Sequence, residues 1–195
     1  MKTLLFFMAI VPVSIFAQTR YEFASKTNSI QWRGEDILKN GHEGTIQIHS
    51  GYLFLSNQNV VTKGEFELDM NTIKAIDERN GSDIKDLSDH LKSDDFFAVG
   101  KFPKSFFAIT KVTPVSSAVD QFKVKGYLSI KGIINEIEFR ATITAKASSV
   151  KVKAELKIDR TKWNVTYQSK NFLSNIKDTA ISDDIKIWME LSFKK

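Results

Sequence analysis

The sequence predicts an all-β protein, in which about eight antiparallel strands close into a barrel or fold into a sandwich, with one short helical segment. Apolar and polar residues alternate with a period of two along most of the chain, as in strands with one buried face. Helical spacing of apolar residues appears only in residues 83–97. No linker or break in composition divides the chain, so we expect residues 18–195 to form one domain.

The first 17 residues have the order of a secretory signal peptide. A short basic start around Lys2 precedes an almost wholly apolar run over residues 4–16, and Ala17 offers a small residue for cleavage. The run is too short to cross a membrane comfortably as a helix, because a span takes about 20 apolar residues. We therefore expect a signal peptide at residues 1–17 and an exported mature chain that is periplasmic or secreted.

The clearest strands carry phenylalanine and aliphatic residues on one face and charged residues on the other. In the run that begins at Phe122 the apolar positions alternate mostly with lysines, and over residues 185–193 they alternate with Lys186, Trp188, Glu190 and Ser192. A further apolar strand is expected over residues 102–112. Lys131 and Gly132 separate two strong runs and have the composition of a hairpin turn.

Strands of this kind cannot remain a flat open sheet, because their edges and their apolar face would stay exposed. Closing the sheet removes the edges. The interior of an eight-stranded barrel is either filled by side chains or holds one small ligand. The inward-facing positions are nearly uncharged. The residues alone therefore leave two interpretations open, a hollow that holds an apolar ligand and a dry core.

The candidate ligand-binding residues are the larger apolar side chains on the predicted inward faces. An apolar ligand among them would gain about 25 cal/mol for each Å² of apolar surface removed from water. These candidates are Ile30, Trp32, Ile48, Phe66, Leu68, Phe106, Phe122, Leu128, Ile130, Phe139, Ile143, Leu156, Ile187 and Met189.

Composition argues against several kinds of chemistry. The chain has no cysteine, which excludes disulfides, thiolate metal sites and cysteine nucleophiles. The histidines, at positions 42, 49 and 90, lack the spacing of a metal motif, and no G-x-S-x-G motif is present. We therefore expect a protein that is not an enzyme and uses neither a metal nor a cofactor.

The formal net charge of +5 is weak evidence for nucleic acid, because the sign of the charge alternates along the chain and export would remove that partner. Outward lysines at positions 123, 125, 131, 151, 153 and 157 are by default solvated surface. Contact of these lysines with anionic membrane headgroups is a secondary hypothesis. The sequence leaves open whether two barrels pair as a homodimer.

Six segments of the sequence form recognisable motifs. They are Trp32 and Gly34 with GHEG at residues 41–44 and SG at 50–51, GEFELDMNTI at 64–73, HLKSDDFF at 90–97 followed by KFP at 101–103 and Phe106, GYLSIKG at 126–132, DRTKW at 159–163 and SDDI at 182–185. In this order the segments resemble the YceI-like domain of exported bacterial proteins. Ser129 stands where threonine is usual in that family, Asn164 stands where glycine is common, and residues 174–179 fit the pattern poorly.

The resemblance implies a lipocalin-like antiparallel β-barrel that binds a long isoprenoid or similar amphiphilic lipid in its lumen. It suggests carriage or storage of that lipid in the cell envelope, without catalysis. One rival interpretation is a structural or stress-related interaction protein with a dry barrel, and a weaker one is a metal- or haem-associated accessory protein. For Arg160 we prefer a structural corner with Asp159 and Trp163 over contact with a lipid headgroup, and for His42 and His90 a structural or entrance-lining role.

Overall fold

A computed structural model of the protein describes residues 18–24, 29–36, 40–76, 81–115, 119–169, 171 and 180–195. The predicted signal peptide at residues 1–17 and the segment at 174–179 lie outside the described residues. No helix in the described part of the chain is long and apolar enough to cross a membrane.

The described residues form nine strands, one α-helix and one short 3₁₀ helix. In chain order the elements are β1 Thr19–Phe23, β2 Ser29–Asp36, β3 Gly41–Leu55, β4 Val61–Ala75, α1 Gly81–Lys92, β5 Lys104–Pro114, β6 Gln121–Ile130, β7 Ile133–Lys146, β8 Ser149–Asp159, the 3₁₀ helix Arg160–Trp163 and β9 Ile181–Lys194.

Eight of the strands form a closed antiparallel barrel in the order β3-β2-β9-β8-β7-β6-β5-β4, and β4 pairs back with β3. The extra strand, β1, continues the position of β2 in the wall, since both pair with β3 and with β9 but at different ends. The lipocalin-like barrel is thereby confirmed and the sandwich is excluded. Strand β1 is not among the predicted strands, although Tyr21 and Phe23 alternate there with Arg20 and Glu22.

The two ends of the barrel differ. One end, called the mouth end because the cavity described below opens there, carries α1, the 3₁₀ helix and the turn between β6 and β7. In that turn Lys131 has φ 49° and Gly132 has φ 73°. Positive φ at both residues defines the tight hairpin turn that the sequence predicted. The far end carries β1 and the connections β3–β4, β5–β6 and β7–β8.

Large side chains plug the far end. Leu55 and Phe193 are almost wholly buried there, together with Val150 and Tyr21. The hydroxyl of Tyr21 donates a hydrogen bond to the carbonyl oxygen of Ala147, in the β7–β8 turn, at 3.2 Å. This side chain therefore ties β1 to the turn and helps to close the far end.

Helix α1 packs over the mouth end of β4. Leu91 is buried against Ile73, and the backbone N–H of Ala75 donates to the hydroxyl of Ser88 at 3.0 Å. The helix ends at Lys92, earlier than the predicted residue 97. The Ser93 hydroxyl bonds the carbonyl of His90 at 2.8 Å and takes the place of a further helical bond.

Trp163 fills a gap in the barrel wall. Strands β7 and β8 pair from Ala141↔Ala154 to Lys146↔Ser149, and their mouth-side halves lie beyond that paired stretch. Trp163, 1% exposed, packs there with Leu128, and its Nε1 donates to the carbonyl oxygen of Leu128 at 3.0 Å.

Candidate ligand-binding cavity

The interior of the barrel is hollow between the plug at the far end and the helix at the mouth. The cavity has a volume of about 650 Å³, within the range of about 300–1,000 Å³ that is usual for pockets enclosing small organic ligands. All eight barrel strands and α1 contribute to its wall, and most lining side chains are aliphatic or aromatic.

The cavity is long. On β3 its wall runs from His42, exposed at the mouth, to Leu53, eleven residues further along the strand. At ~3.3 Å per residue and a strand tilt of ~40°, that stretch covers about 28 Å along the barrel axis. A space of this length suits an extended chain better than a compact ligand.

Polar residues form the rim of the mouth. Asn40 and His42 are exposed and line the cavity, so the cavity reaches the surface on this side. Glu35 lies beside them and forms ion pairs with Arg33 at 2.8 Å and with Lys186 at 3.2 Å. The pKa of Glu35 is lowered mainly by the hydrogen bond from Arg33 and, to a smaller extent, by the hydrogen bond from Lys186. The carboxylate is therefore ionised at neutral pH.

His90, on α1, also lines the cavity at the mouth. Its ring makes T-shaped contacts with the rings of Phe96 and Tyr167, with centroids 5.0 and 4.7 Å away, and its Nε2 lies 3.1 Å from a carboxylate oxygen of Asp95. His49, in contrast, is exposed on the outer face of β3. The described residues contain no group of three or more histidine, aspartate or glutamate side chains arranged to hold a metal.

Arg160 holds the rim together. Its guanidinium is almost wholly buried and donates to the carbonyl oxygens of Val165 at 2.8 Å, Ser182 at 3.0 Å and Ile181 at 3.2 Å. Asp183 lies 3.6 Å away. Burial lowers the pKa of Arg160, but arginine stays charged at neutral pH. The bonds join the 3₁₀ helix that follows β8 to the start of β9, so they favour a structural role for Arg160, although its partners are these carbonyls and Asp183 rather than the expected Asp159 and Trp163.

The structure places twelve of the fourteen candidate residues on the cavity wall. Their contact with a ligand stays a prediction. The twelve are Ile30, Trp32, Ile48, Phe66, Leu68, Leu128, Ile130, Phe139, Ile143, Leu156, Ile187 and Met189.

The inward placement of Phe106 is wrong. Its side chain is 45% exposed on the outer face of β5, and the cavity is lined by its neighbour Phe107. Residues 106–109 are continuously apolar, so alternation does not fix which face each side chain takes. The register decides, since Phe107 pairs with the inward residues Phe66 and Leu128.

Phe122 also lies outside the cavity wall. It is half-buried and packs against the far-end cluster rather than bordering the hollow. The prediction identified its face of β6 correctly, because Val124 and Leu128 on the same face line the cavity. Alternation carries no information on depth, and Phe122 lies too close to the far end.

Sequence reasoning missed several lining residues. Phe96 and Phe97, the last two residues of the HLKSDDFF motif, follow α1 and reach the cavity from the mouth. Val124 and Ile137 were on the predicted inward faces but were not selected. Met70 and Ile73 continue the β4 face that begins at Phe66 and Leu68, and the same alternation could have identified Met70.

Two polar groups lie deeper in the wall than the rim. The hydroxyl of Ser105 donates to the carbonyl oxygen of Ser129 at 2.6 Å. The indole Nε1 of Trp32 is buried and has no hydrogen-bond partner among the described residues. Apart from these two groups and the polar residues at the mouth, the lining side chains are aliphatic or aromatic, so the deep part of the cavity offers a ligand mainly apolar surface.

Most of the outward lysines are paired with acids on neighbouring strands. Such cross-strand pairs neutralise the basic faces that the sequence suggested. The pairs are Lys123 with Glu138 at 3.1 Å, Lys125 with Glu136 at 2.9 Å, Lys153 with Glu190 at 3.0 Å and Lys157 with Asp184 at 2.9 Å.

Comparison with known proteins identifies one family and several solved structures that share the barrel fold. The YceI-like domain matches residues 21–193. Among solved structures, BcnA of Burkholderia cenocepacia is 14% identical with a TM-score of 0.62, covering 85% of this chain and 95% of BcnA. A polyisoprenoid binding domain from Saccharophagus degradans, implicated in plant cell wall breakdown, is 13% identical with a TM-score of 0.62, covering 89% and 97%.

The YCEI protein of Campylobacter jejuni is 18% identical with a TM-score of 0.56, covering 100% of this chain and 93% of that protein. At these identities the likeness to solved structures shows a shared fold. No curated protein matches the sequence.

Proposed function

Because the chain belongs to the YceI-like family, we propose that it binds an isoprenoid or a similar long amphiphilic lipid in the barrel cavity, without catalysis. The observation that carries this proposal is the long hollow with an apolar wall, plugged at one end and open at a polar rim. The polyisoprenoid binding domain of Saccharophagus degradans shares the fold, which supports the same ligand class.

A prenyl chain makes almost no hydrogen bonds and gains affinity by leaving water, at about 25 cal/mol per Å². Burying a few hundred Å² supplies several kcal/mol before the cost of ordering the chain is subtracted. The polar rim suits a headgroup that stays near the solvent, so the chain enters first and the headgroup remains at the mouth.

The proposal includes export. With the signal peptide removed, the mature barrel resides in the periplasm or is secreted, and it carries or stores the lipid in the cell envelope. The rival interpretation as an interaction protein depended on a dry barrel, and the hollow disfavours it.

Lipid extraction followed by mass spectrometry of the purified full chain tests the proposal. Leu128 and Tyr127 are neighbours on β6 that point to opposite sides of the wall: Leu128 lines the cavity, whereas Tyr127 is 48% exposed. Leu128→Glu places a carboxylate in the apolar hollow and should lower the amount of co-purifying lipid about tenfold or more. Tyr127→Glu is the matched control and should leave it unchanged.

The expected wild-type result is a co-purifying prenyl or similar long-chain lipid. Absence of such a lipid, together with failure of the delipidated protein to take up added farnesol, would overturn the proposal. Equal lipid content in folded Leu128→Glu and Tyr127→Glu variants would show that the lipid is bound elsewhere. Circular dichroism of both variants checks that the barrel has formed.

A further inference from the structure

Three buried glycines on the inner face of the barrel each leave a notch that an aromatic ring occupies. Gly44 pairs across strands with Trp32, and Gly51 pairs with Phe66. Gly126 lies beside Phe107. All three aromatic residues line the cavity. The pairs therefore lie on the surface that a ligand would touch.

The contacts show how closely each ring fits its notch. A Cβ atom added at Gly51 would lie 2.9 Å from Cδ1 of Phe66. One added at Gly126 would lie 2.7 Å from two ring carbons of Phe107 and would also overlap the carbonyl oxygen of Ala108. At Gly44 the added atom would overlap the indole of Trp32 and the carbonyl oxygen of Lys74. Each ring thus occupies the place where its neighbour's side chain would stand.

This arrangement changes the direction of the rings. Side chains on one face of a sheet normally stand roughly perpendicular to it, with the Cβ atoms of a cross-strand pair about 4.5–5.5 Å apart. Beside a glycine the ring leans into the vacancy and covers the neighbouring backbone. The rings of Phe66 and Phe107 are 29° from parallel at 6.2 Å, and Phe139 follows at 5.7 Å from Phe107. These rings line the wall and leave the centre of the barrel open.

We infer that the glycine–aromatic pairs set the bore of the cavity and determine which chain it admits. Each notch is the space that the methyl group of an alanine would take at the glycine. The branches that distinguish an isoprenoid chain from an unbranched one are also methyl groups. A ring displaced from its notch has the wall behind it and moves toward the centre of the cavity. Because each ring stays in its notch, the centre of the cavity keeps enough width for a methyl-branched chain. This inference rests on the proposed function and specifies its ligand.

The test uses two probes that differ only in branching, 3,7,11-trimethyldodecan-1-ol and dodecan-1-ol. They have the same backbone length and the same hydroxyl headgroup. Gly51→Ala is the most suitable variant, because its added methyl group meets the Phe66 ring at 2.9 Å and its nearest backbone contact, the Glu65 carbonyl oxygen, is no closer than 3.1 Å. The measurement is the dissociation constant of each probe for the delipidated full chain by calorimetry.

The wild type should bind the branched alcohol more tightly, because it buries more apolar surface. Gly51→Ala should lower the ratio of branched to unbranched affinity by about tenfold, since overpacking now opposes the branches. The double variant Gly51→Ala/Phe66→Leu removes the displaced ring and should restore the ratio. Gly100→Ala is the control, because Gly100 lies outside the cavity and nothing lies within 4 Å of an added Cβ.

An unchanged ratio in folded Gly51→Ala overturns the inference while leaving lipid binding intact. Failure of the wild type to bind either alcohol overturns the proposed function instead. If Gly51→Ala does not fold, Phe66→Leu alone decides: a wider bore raises the ratio for the branched probe, and an unchanged ratio refutes the role of the ring.

Discussion

Replacing Arg160 with methionine should lower the free energy of unfolding by about 3–5 kcal/mol, the usual cost of removing one partner of a buried ion pair. The size of this loss follows from the buried groups that have no partner once the guanidinium is removed. Three backbone carbonyls at the junction of β8 and β9 lose their donor, and the carboxylate of Asp183, which is only 12% exposed, loses its nearest cation. Methionine fills similar space and supplies no donor.

Thermal unfolding at pH 7 measures the effect. For a chain of this size, a loss of 3–5 kcal/mol lowers Tm by roughly 6–20 °C. Lys157→Met is the matched control, because Lys157 also joins β8 to an aspartate of β9, Asp184 at 2.9 Å, but both side chains are about half exposed. An exposed pair of this kind contributes about 0–1 kcal/mol. The double variant Arg160→Met/Asp183→Asn should recover part of the loss, since no carboxylate is then left unpaired.

Equal losses for Arg160→Met and Lys157→Met would refute the reasoning, because burial would then have no effect on the energy of the pair. Arg160→Lys separates the structural role from contact with a lipid headgroup. A lysine keeps the charge but lacks the planar set of donors. A structural role predicts lower Tm with little change in lipid affinity, whereas unchanged Tm with weaker lipid binding would identify a headgroup contact.

Two further predictions concern other parts of the fold. Gly44→Ala should cost about 2 kcal/mol, because the added methyl group overlaps the indole on β2 and a backbone carbonyl of β4. Gly34→Ala, with nothing within 4 Å of the added atom, should change stability by less than about 0.5 kcal/mol; equal urea midpoints for the two variants would contradict the close fit. Trp163→Phe should cost about 1–2 kcal/mol by removing its bond to the carbonyl of Leu128, and an unchanged midpoint would show that ring packing alone fills the gap between β7 and β8.

Alternation identified the faces of the strands well where apolar and charged residues strictly take turns. On β6 the inward residues Val124 and Leu128 are separated by exposed or half-exposed lysine and tyrosine, and the structure follows that pattern. On β5 the pattern failed, because Phe106 and Phe107 are adjacent and equally apolar. Cross-strand register, a property of the neighbouring strands, decided between them.

Depth along the barrel was not predictable from periodicity. Phe122 and Leu128 share a face of β6, yet one packs in the far-end cluster and the other borders the cavity. The glycine notches were not predictable either, because alternation along one strand does not show which distant side chain lies beside a glycine. Gly126 stood on a predicted inward face, but its role depends on a ring from β5, more than ten residues away along the chain.

By itself the sequence determined that the chain is mostly strand, which faces point inward where apolar and polar residues strictly alternate, the turn at Lys131–Gly132 and the family of the chain. Each of these depends on residues close together along the chain or on motifs in a fixed order. Only the tertiary structure decided that the barrel is hollow. Periodicity shows which side chains point inward, whereas the distance between opposite walls depends on strand number, register and the direction in which rings such as Phe66 lean, and all of these depend on contacts between distant segments.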